Sequence, residues 1–284
     1  MINFYKTINL DGQLLDLSTP QVMAIVNVTP DSFFSGSRNT TEQEIERRVV
    51  EAVEEGAAIL DVGGYSSRPG AADVSPEEEF ERVFRALRVI RGLYPGMPVS
   101  VDTFRASVIE KVVEAFGAVI VNDISAGELD EAMIPAAARL KLPYIAMHMR
   151  GTPDTMQQMT AYEDITAEVV RYFSFKIDQL LQTGVHDIIL DPGFGFAKTV
   201  EQNFELLGRM SDISIFGRPV LAGISRKTMI WKTLNVNPEE SLNGTTALHW
   251  ECLRQGASIL RVHDVKEAVE VVRLYESYEK AQRF

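Results

Sequence analysis

Eight short apolar runs follow one another along the chain: VMAIVN, AILDVGG, PVSVD, VIVND, PYIAMHM, DIILDPG, PVLAGIS and ILRVH, with a helically periodic segment between each and the next. Strands of a parallel sheet covered on both faces read as unbroken Val/Ile/Leu runs, because neither face meets water. A strand followed by a helix, eight times over, predicts an α/β fold of the closed (β/α)8 type, a TIM barrel. In such a barrel the strand C-termini open on one mouth. The polar residues that end the runs, Asn27, Asp61, Asp102, Asn122, Asp191, Lys227, Arg261 and His263, are therefore predicted to ring a single pocket, although they lie far apart in sequence.

The 284 residues suit one barrel of roughly 250 residues with additions, and a single domain over 1–284 is expected. Residues 1–20 form an N-terminal extension, two alternating segments around Asp11-Gly12, which predicts a β-hairpin capping the barrel floor. The apolar runs stay short of the roughly 18 residues that span a bilayer. The first residues, MINFYKTINLDGQ, lack the pattern of a secretory signal, so a soluble cytoplasmic protein is expected. A net charge of −12, without a basic face, argues against a nucleic-acid partner. It also means that any phosphate site must rely on locally clustered cations and backbone donors, which the sequence supplies near Arg226, Lys227, Arg261 and His263. The single cysteine, Cys252, lies in a helical stretch and reads as a packed thiol.

Helix starts are marked by Thr40/Thr41, Ser75-Pro76 and Thr103, and Gly56, Gly117, Gly184 and Gly256 stand where helices end. Two connections at the mouth, Val28 to Asn39 and Gly63 to Asp73, are rich in Gly, Ser, Pro and Arg and are candidate lids.

Asp191, followed by Pro-Gly-Phe-Gly, either grips a planar pair of donors or caps the next helix. Asp102 and Asn122 occupy equivalent positions on neighbouring strands; they point together toward a heterocycle or serve as helix caps. Asp61 is open between a structural and a substrate role, whereas Asp123, facing the opposite way from Asn122, reads as structural. Lys227 and Arg226 end an apolar run, either as a solvated pair or as donors to a carbonyl and a phosphate. Arg261 and His263, two residues apart, share a strand face and with Asn27 suit an anion. His148 reads as a rim residue, and His186 and His249 as surface or packing residues. Zinc-type ligand spacing and a nucleophile elbow are both missing from the sequence.

In order, NVTPDSFF, GGYSSRPG, VDTF, VNDISAG, MHMRG, DPGFGFAKT, GISRKTM and RVHD resemble the motifs of the dihydropteroate synthase family from about residue 20 to about residue 274. The resemblance implies a pterin-binding TIM barrel that joins 6-hydroxymethyl-7,8-dihydropterin pyrophosphate to p-aminobenzoate with magnesium (Mg2+), a folate-biosynthesis transferase of a non-methyl alkyl group, usually a homodimer. By position it implies a pterin-binding set of Asp102, Asn122, Asp191, Phe196, Lys227 and Arg261, with Asp102, Lys227 and Arg261 catalytic. It implies a pyrophosphate site of Asn27, Arg261 and His263, with Asn27 also the metal ligand, and a p-aminobenzoate site of Ser67, Arg68, Pro69 and Thr228. Sulfonamide binding is implied as well.

The chain departs from the family pattern at Tyr65, Ser66 and Ser67, where Glu-Ser-Thr is usual, and at Phe34 and Ser35, where Ser and Asp are usual. Two rival readings share a pterin pocket. A methyltransferase acting from methyltetrahydrofolate needs no pyrophosphate pocket, so Lys227, Arg261 and His263 argue against it; a catalytically silent pterin-binding subunit fits the altered first loop.

Overall fold

The computed structural model describes residues 7–29, 41–66 and 74–282. A hairpin of β1 (Thr7–Leu10) and β2 (Gln13–Asp16) is followed by β3 (Gln21–Asn27), α1 (Glu42–Glu54), β4 (Ile59–Gly63), α2 (Pro76–Leu93), β5 (Val99–Asp102) and α3 (Ala106–Phe116). Then come β6 (Ile120–Asp123), α4 (Met133–Arg139), β7 (Tyr144–Met147), α5 (Ile165–Thr183), β8 (Ile188–Asp191) and α6 (Val200–Gly208). The chain ends with β9 (Leu221–Ala222), α7 (Thr228–Leu234), α8 (Leu242–Arg254), β10 (Ile259–Val262) and α9 (Val265–Gln282).

Strands β3 to β10 are parallel in the order β8-β7-β6-β5-β4-β3-β10-β9, and one bridge between Leu190 and Val220 brings the ends of the sheet together. This is the predicted TIM barrel. Along each strand alternate residues face outward, and Val26, Leu60, Val101, Val121, Leu190 and Leu260 join the helices in one large core. The inward residues of the lower half, Met23, Ile59, Ile120, Ile145, Ile189, Leu221 and Ile259, form a separate apolar layer. Ile8 and Leu17 from the hairpin segment pack into that layer from below, so the floor is plugged by side chains. Asp11 and Gly12 turn the hairpin with φ of 50° and 82°, as a tight turn between two strands requires. The backbone N–H of Asn9 donates to Asp187 Oδ1 at 3.0 Å and ties the hairpin to the barrel.

Local signals set most helix ends. Thr41 and Glu44 form a reciprocal capping box, Ser75 accepts from Glu78 N ahead of Pro76, and Gly184 closes α5 in a left-handed conformation. Two expectations are corrected. Thr103 does not cap α3; its hydroxyl accepts from Arg105 N, and Arg105 itself holds the cap position. Gly117, with φ 80° and ψ −164°, is not a left-handed cap.

Asp123 faces outward among the helices, where four donors satisfy it: Ser125 N at 2.8 Å, Ser125 Oγ at 2.7 Å, Gly127 N at 2.7 Å and Tyr144 Oη at 2.6 Å. His249 and Cys252 are buried in α8, and His186 is exposed. Among the described residues no helix is long and apolar enough to cross a membrane.

Replacing Asp123 by Ala orphans the buried Tyr144 hydroxyl and two backbone N–H groups. It is expected to cost about 3 kcal/mol, read as a lower urea midpoint at unchanged slope.

Candidate active site

Above the apolar floor layer the inward positions become polar, because these residues end the strands. Register places Gly63 beside Asp102 and Asp102 beside Asn122. Asn122 donates its amide to both oxygens of Asp61 at 3.2 Å. Arg261, from β10, donates Nε to Asp61 Oδ2 at 2.6 Å and Nη2 to Asp102 Oδ2 at 2.7 Å. Four residues from β4, β5, β6 and β10 thus form one hydrogen-bonded group. A Cβ at position 63 would stand 3.3 Å from Asn27 Oδ1 and 3.6 Å from the Asp102 Cβ, so the bare glycine lets the ends of β3 and β5 approach each other.

The second half of the site is built by the turn after β8. Asp191 is buried, and its Oδ1 accepts from Gly193 N at 2.8 Å. Gly193 has φ 69°, and a Cβ there would lie 2.0 Å from the His148 carbonyl oxygen, so this turn admits only glycine. Lys227 donates Nζ to the Phe194 carbonyl and stands 4.8 Å from the centre of the Phe196 ring. Beneath them Lys198 is buried, with Nζ at 2.9 Å from Gly193 O, 3.0 Å from Phe196 O and 3.0 Å from His148 Nδ1. Ile124, Met147, Met149, Met156 and Ala197, with Phe104 and Phe196 against them, form an apolar wall beside these groups.

Charge is balanced locally: Asp61, Asp102 and Asp191 face Arg261, Lys227 and Lys198. Burial pushes the Asp102 carboxyl up to about 7; Arg261 opposes this and the neighbouring Asp61 adds to it. Burial also raises Asp191, against the pull of Lys227. It lowers Lys227 to about 8 and Lys198 to about 7, with Asp191 opposing in both cases. For Arg261 burial acts downward, but the Asp61 and Asp102 carboxylates outweigh it and hold the guanidinium above its usual range. His263 hydrogen-bonds Ser225 Oγ through Nδ1 at 3.1 Å, and burial with Arg261 beside it lowers its pKa to about 4. It is therefore a neutral imidazole, a dipolar partner for an anion and not a cation.

Several expectations change in detail. The seventh barrel strand ends at Ala222, five residues before Lys227, which returns to the mouth through a turn with Arg226 at φ 54° and Lys227 N bonded to Ile224 O at 3.0 Å. Arg226 is engaged away from the polar groups, gripping Asp264 at 2.6 and 2.9 Å, and so is not a local phosphate cation. His148 is buried against Lys198 and is not a rim residue. Thr228 is the exposed first residue of α7, next to Lys227. Phe34, Ser35, Ser67, Arg68 and Pro69, with most of both lid candidates, lie outside the described residues.

Sequence reasoning missed Lys198 and Ser225. Each follows a strand end by several residues inside a loop, where no periodicity announces direction, although a lysine in an otherwise apolar Gly-Phe-Gly-Phe-Ala turn was a signal. Among the described residues no group of three His, Cys, Asp or Glu side chains could hold a metal. The Asn27 amide adds a neutral oxygen donor at the end of β3, beside Gly63.

This polar cluster at the C-terminal mouth of a parallel barrel matches the pterin binding enzyme family over residues 23–263, and the chain belongs to that family. Within it the chain is similar to the dihydropteroate synthases. The enzyme of that name from Escherichia coli (strain K12) is 44% identical over 268 residues, covering 94% of each chain. The Yersinia pestis enzyme, solved with a sulfonamide drug complex, is 37% identical with a TM-score of 0.90, covering 97% of this chain and 99% of that one. The Xanthomonas albilineans enzyme, solved with 4-aminobenzoic acid, is 36% identical with a TM-score of 0.89, covering 96% and 98%.

Lys198→Met leaves the carbonyls of Gly193 and Phe196 without their cation, and pterin affinity by calorimetry is expected to fall at least about tenfold, near 1.4 kcal/mol. Between about pH 7 and 10 the unfolded wild-type chain holds a proton on Lys198 that the folded chain sheds, so wild-type stability rises with pH in this window. The wild-type excess in melting temperature over Lys198→Met is expected to widen from pH 7 to 9.5.

Proposed function

We propose that the chain acts as a dihydropteroate synthase, condensing 6-hydroxymethyl-7,8-dihydropterin pyrophosphate with p-aminobenzoate to give 7,8-dihydropteroate and pyrophosphate in folate biosynthesis. The observation that carries the reading is the polar cluster at the strand ends, in which Arg261 joins Asp61 to Asp102 while Lys227 faces Asp191. The cluster offers carboxylates to a cationic, donor-rich heterocycle and, in direct contact with two of them, a guanidinium to an anion.

Asp191 and Asn122 hold the pterin edge. With its nitrogen committed to Asp61, Asn122 turns its amide oxygen away as an acceptor. Phe196, with the Lys227 ammonium above it, stacks against the ring. As the carbon–oxygen bond to pyrophosphate lengthens, positive charge grows on the pterin methylene and negative charge on the departing group. Asp102 stabilises the first, and Arg261, with His263 as a neutral donor, stabilises the second. The arylamine then attacks the methylene through its nitrogen lone pair and loses a proton to solvent. It is already unprotonated near neutral pH, so a strong general base is unnecessary. Ser67, Arg68, Pro69 and Thr228 are assigned to the arylamine by resemblance, and that same position is where a sulfonamide competes.

Magnesium fits as a cofactor because Mg2+ takes one or two protein oxygens and completes its shell with phosphate oxygens and water. Asn27 at the end of β3 would hold it beside the diphosphate, and the ion would supply charge neutralisation for the leaving group. A homodimer is supported by the face where Trp250 of α8 meets Tyr275 and Tyr278 of α9 edge to face, beside the exposed Leu274. A cytoplasmic location accords with a pathway of small soluble metabolites.

Purified protein given both substrates and Mg2+ is expected to release pyrophosphate in step with dihydropteroate. Formation of neither would overturn the reading, and light scattering reports the dimer in the same sample. Asp102 must be ionised to stabilise the methylene cation, so kcat/KM is expected to fall as pH drops through about 7. Asp102→Asn should lower kcat at least about a hundredfold, near 2.7 kcal/mol, and remove that acid limb.

A further inference from the structure

We propose that Glu79, on the first turn of α2 and outside the polar group at the mouth, is a positioning residue that holds the segments after β4 and β5 in mutual register and so sets the arylamine side of the site. The inference rests on the proposed condensation for its kinetic consequence.

Glu79 is fully buried, an unusual place for a carboxylate in a helix that otherwise packs apolar residues on the barrel. Its Oε2 binds Arg105 Nη1 at 2.7 Å, while Oε1 is sealed from solvent without a hydrogen-bond partner among the described residues. Burial raises its pKa, and the Thr103 hydroxyl and the Arg105 guanidinium oppose that rise. A half-satisfied buried carboxylate destabilises the fold, and a helix that needed only packing would carry an apolar residue here.

The geometry shows what the acid accomplishes. Thr103 and Arg105 lie on the segment that leaves β5 immediately after Asp102, and Glu79 grips that segment through Arg105, whose backbone N–H donates to the Thr103 hydroxyl. Arg105 in turn stands 5.1 Å from the Tyr65 ring centre and 5.0 Å from that of Phe104, and those two rings meet edge to face at 5.2 Å. Tyr65 belongs to the segment after β4, which α2 also grips. Arg82 Nη1 donates to Gly64 O at 3.1 Å, and a Cβ at Gly64 would lie 2.8 Å from the Glu79 carbonyl oxygen. One helical turn therefore clamps two mouth segments. Phe104 packs in the apolar wall with Met147 and Phe196, so the Tyr65–Phe104 pair extends that wall to the segment after β4, which the family resemblance assigns to the arylamine.

Glu79→Gln is isosteric and removes the charge that holds Arg105. The KM for p-aminobenzoate is expected to rise at least fivefold, with the KM for the pterin pyrophosphate within twofold and kcat within threefold. Arg105→Met should give the same split, and the double variant should be no worse than either single one. Ile90→Ala, on the same helix but in the core, should lower the melting temperature without the split. A Tyr65→Trp reporter should shift its emission to the red when Glu79→Gln is added, and not when Ile90→Ala is added. An unchanged arylamine KM, a split equally present in Ile90→Ala, or an unmoved emission would overturn the proposal. If Glu79→Gln does not fold, Arg105→Met decides through both readouts. If the wild-type protein makes no dihydropteroate, the functional reading fails, and the fluorescence arm still decides whether Glu79 positions the ring pair.

Discussion

The site depends on one guanidinium placed between two carboxylates. Arg261 comes from the last strand of the barrel, Asp61 and Asp102 from the second and third, and the 2.6 and 2.7 Å contacts among them exist only because barrel closure brings the chain ends together. Without the cation, two carboxylates in a low-dielectric cavity could not both stay ionised. Without the carboxylates, the guanidinium would be an uncompensated buried charge. With all three in place, Asn122 is oriented, Arg261 opposes the rise that burial imposes on Asp102, and the two carboxylates keep Arg261 charged. A rigid, partly charged cavity of this kind is the preorganised environment that a reaction separating a cation from an anion requires.

The barrel supports this polarity by dividing its interior. The lower layer is aliphatic and sealed by Ile8 and Leu17, and the upper layer is ionic. Outward-facing polar residues are handled differently. Asp123 has four donors and no part in the mouth, although it is the immediate neighbour of Asn122. Strand alternation alone separates the two roles.

That alternation is why so much was legible in the sequence. Unbroken apolar runs identified the strands, and the polar residue closing each run identified the mouth, so Asp61, Asp102, Asn122, Asp191 and Arg261 could be grouped before any coordinates. What the sequence hid lies where periodicity ends. Lys227 closes an apolar run and so reads as a strand residue, yet β9 is two residues long and the lysine returns through a turn with a left-handed Arg226. Lys198 sits in a glycine-rich turn where direction is set by tertiary carbonyls. Arg226 and Lys227 are adjacent in sequence and look alike, but the Asp264 that claims Arg226 is 38 residues away. The charge of His263 was equally hidden, because burial, which no local pattern encodes, makes it neutral.

The shortness of β9 has a mechanical meaning. Most neighbouring strands in the barrel are laced by several rungs, but β8 meets the β9 segment through the bridge from Leu190 to Val220. This seam runs up the wall and opens between Asp191 on one lip and Lys227 on the other. A flat molecule held by both side chains would tie the turn after β8 to the turn after β9, adding a rung to the barrel's sparsest join.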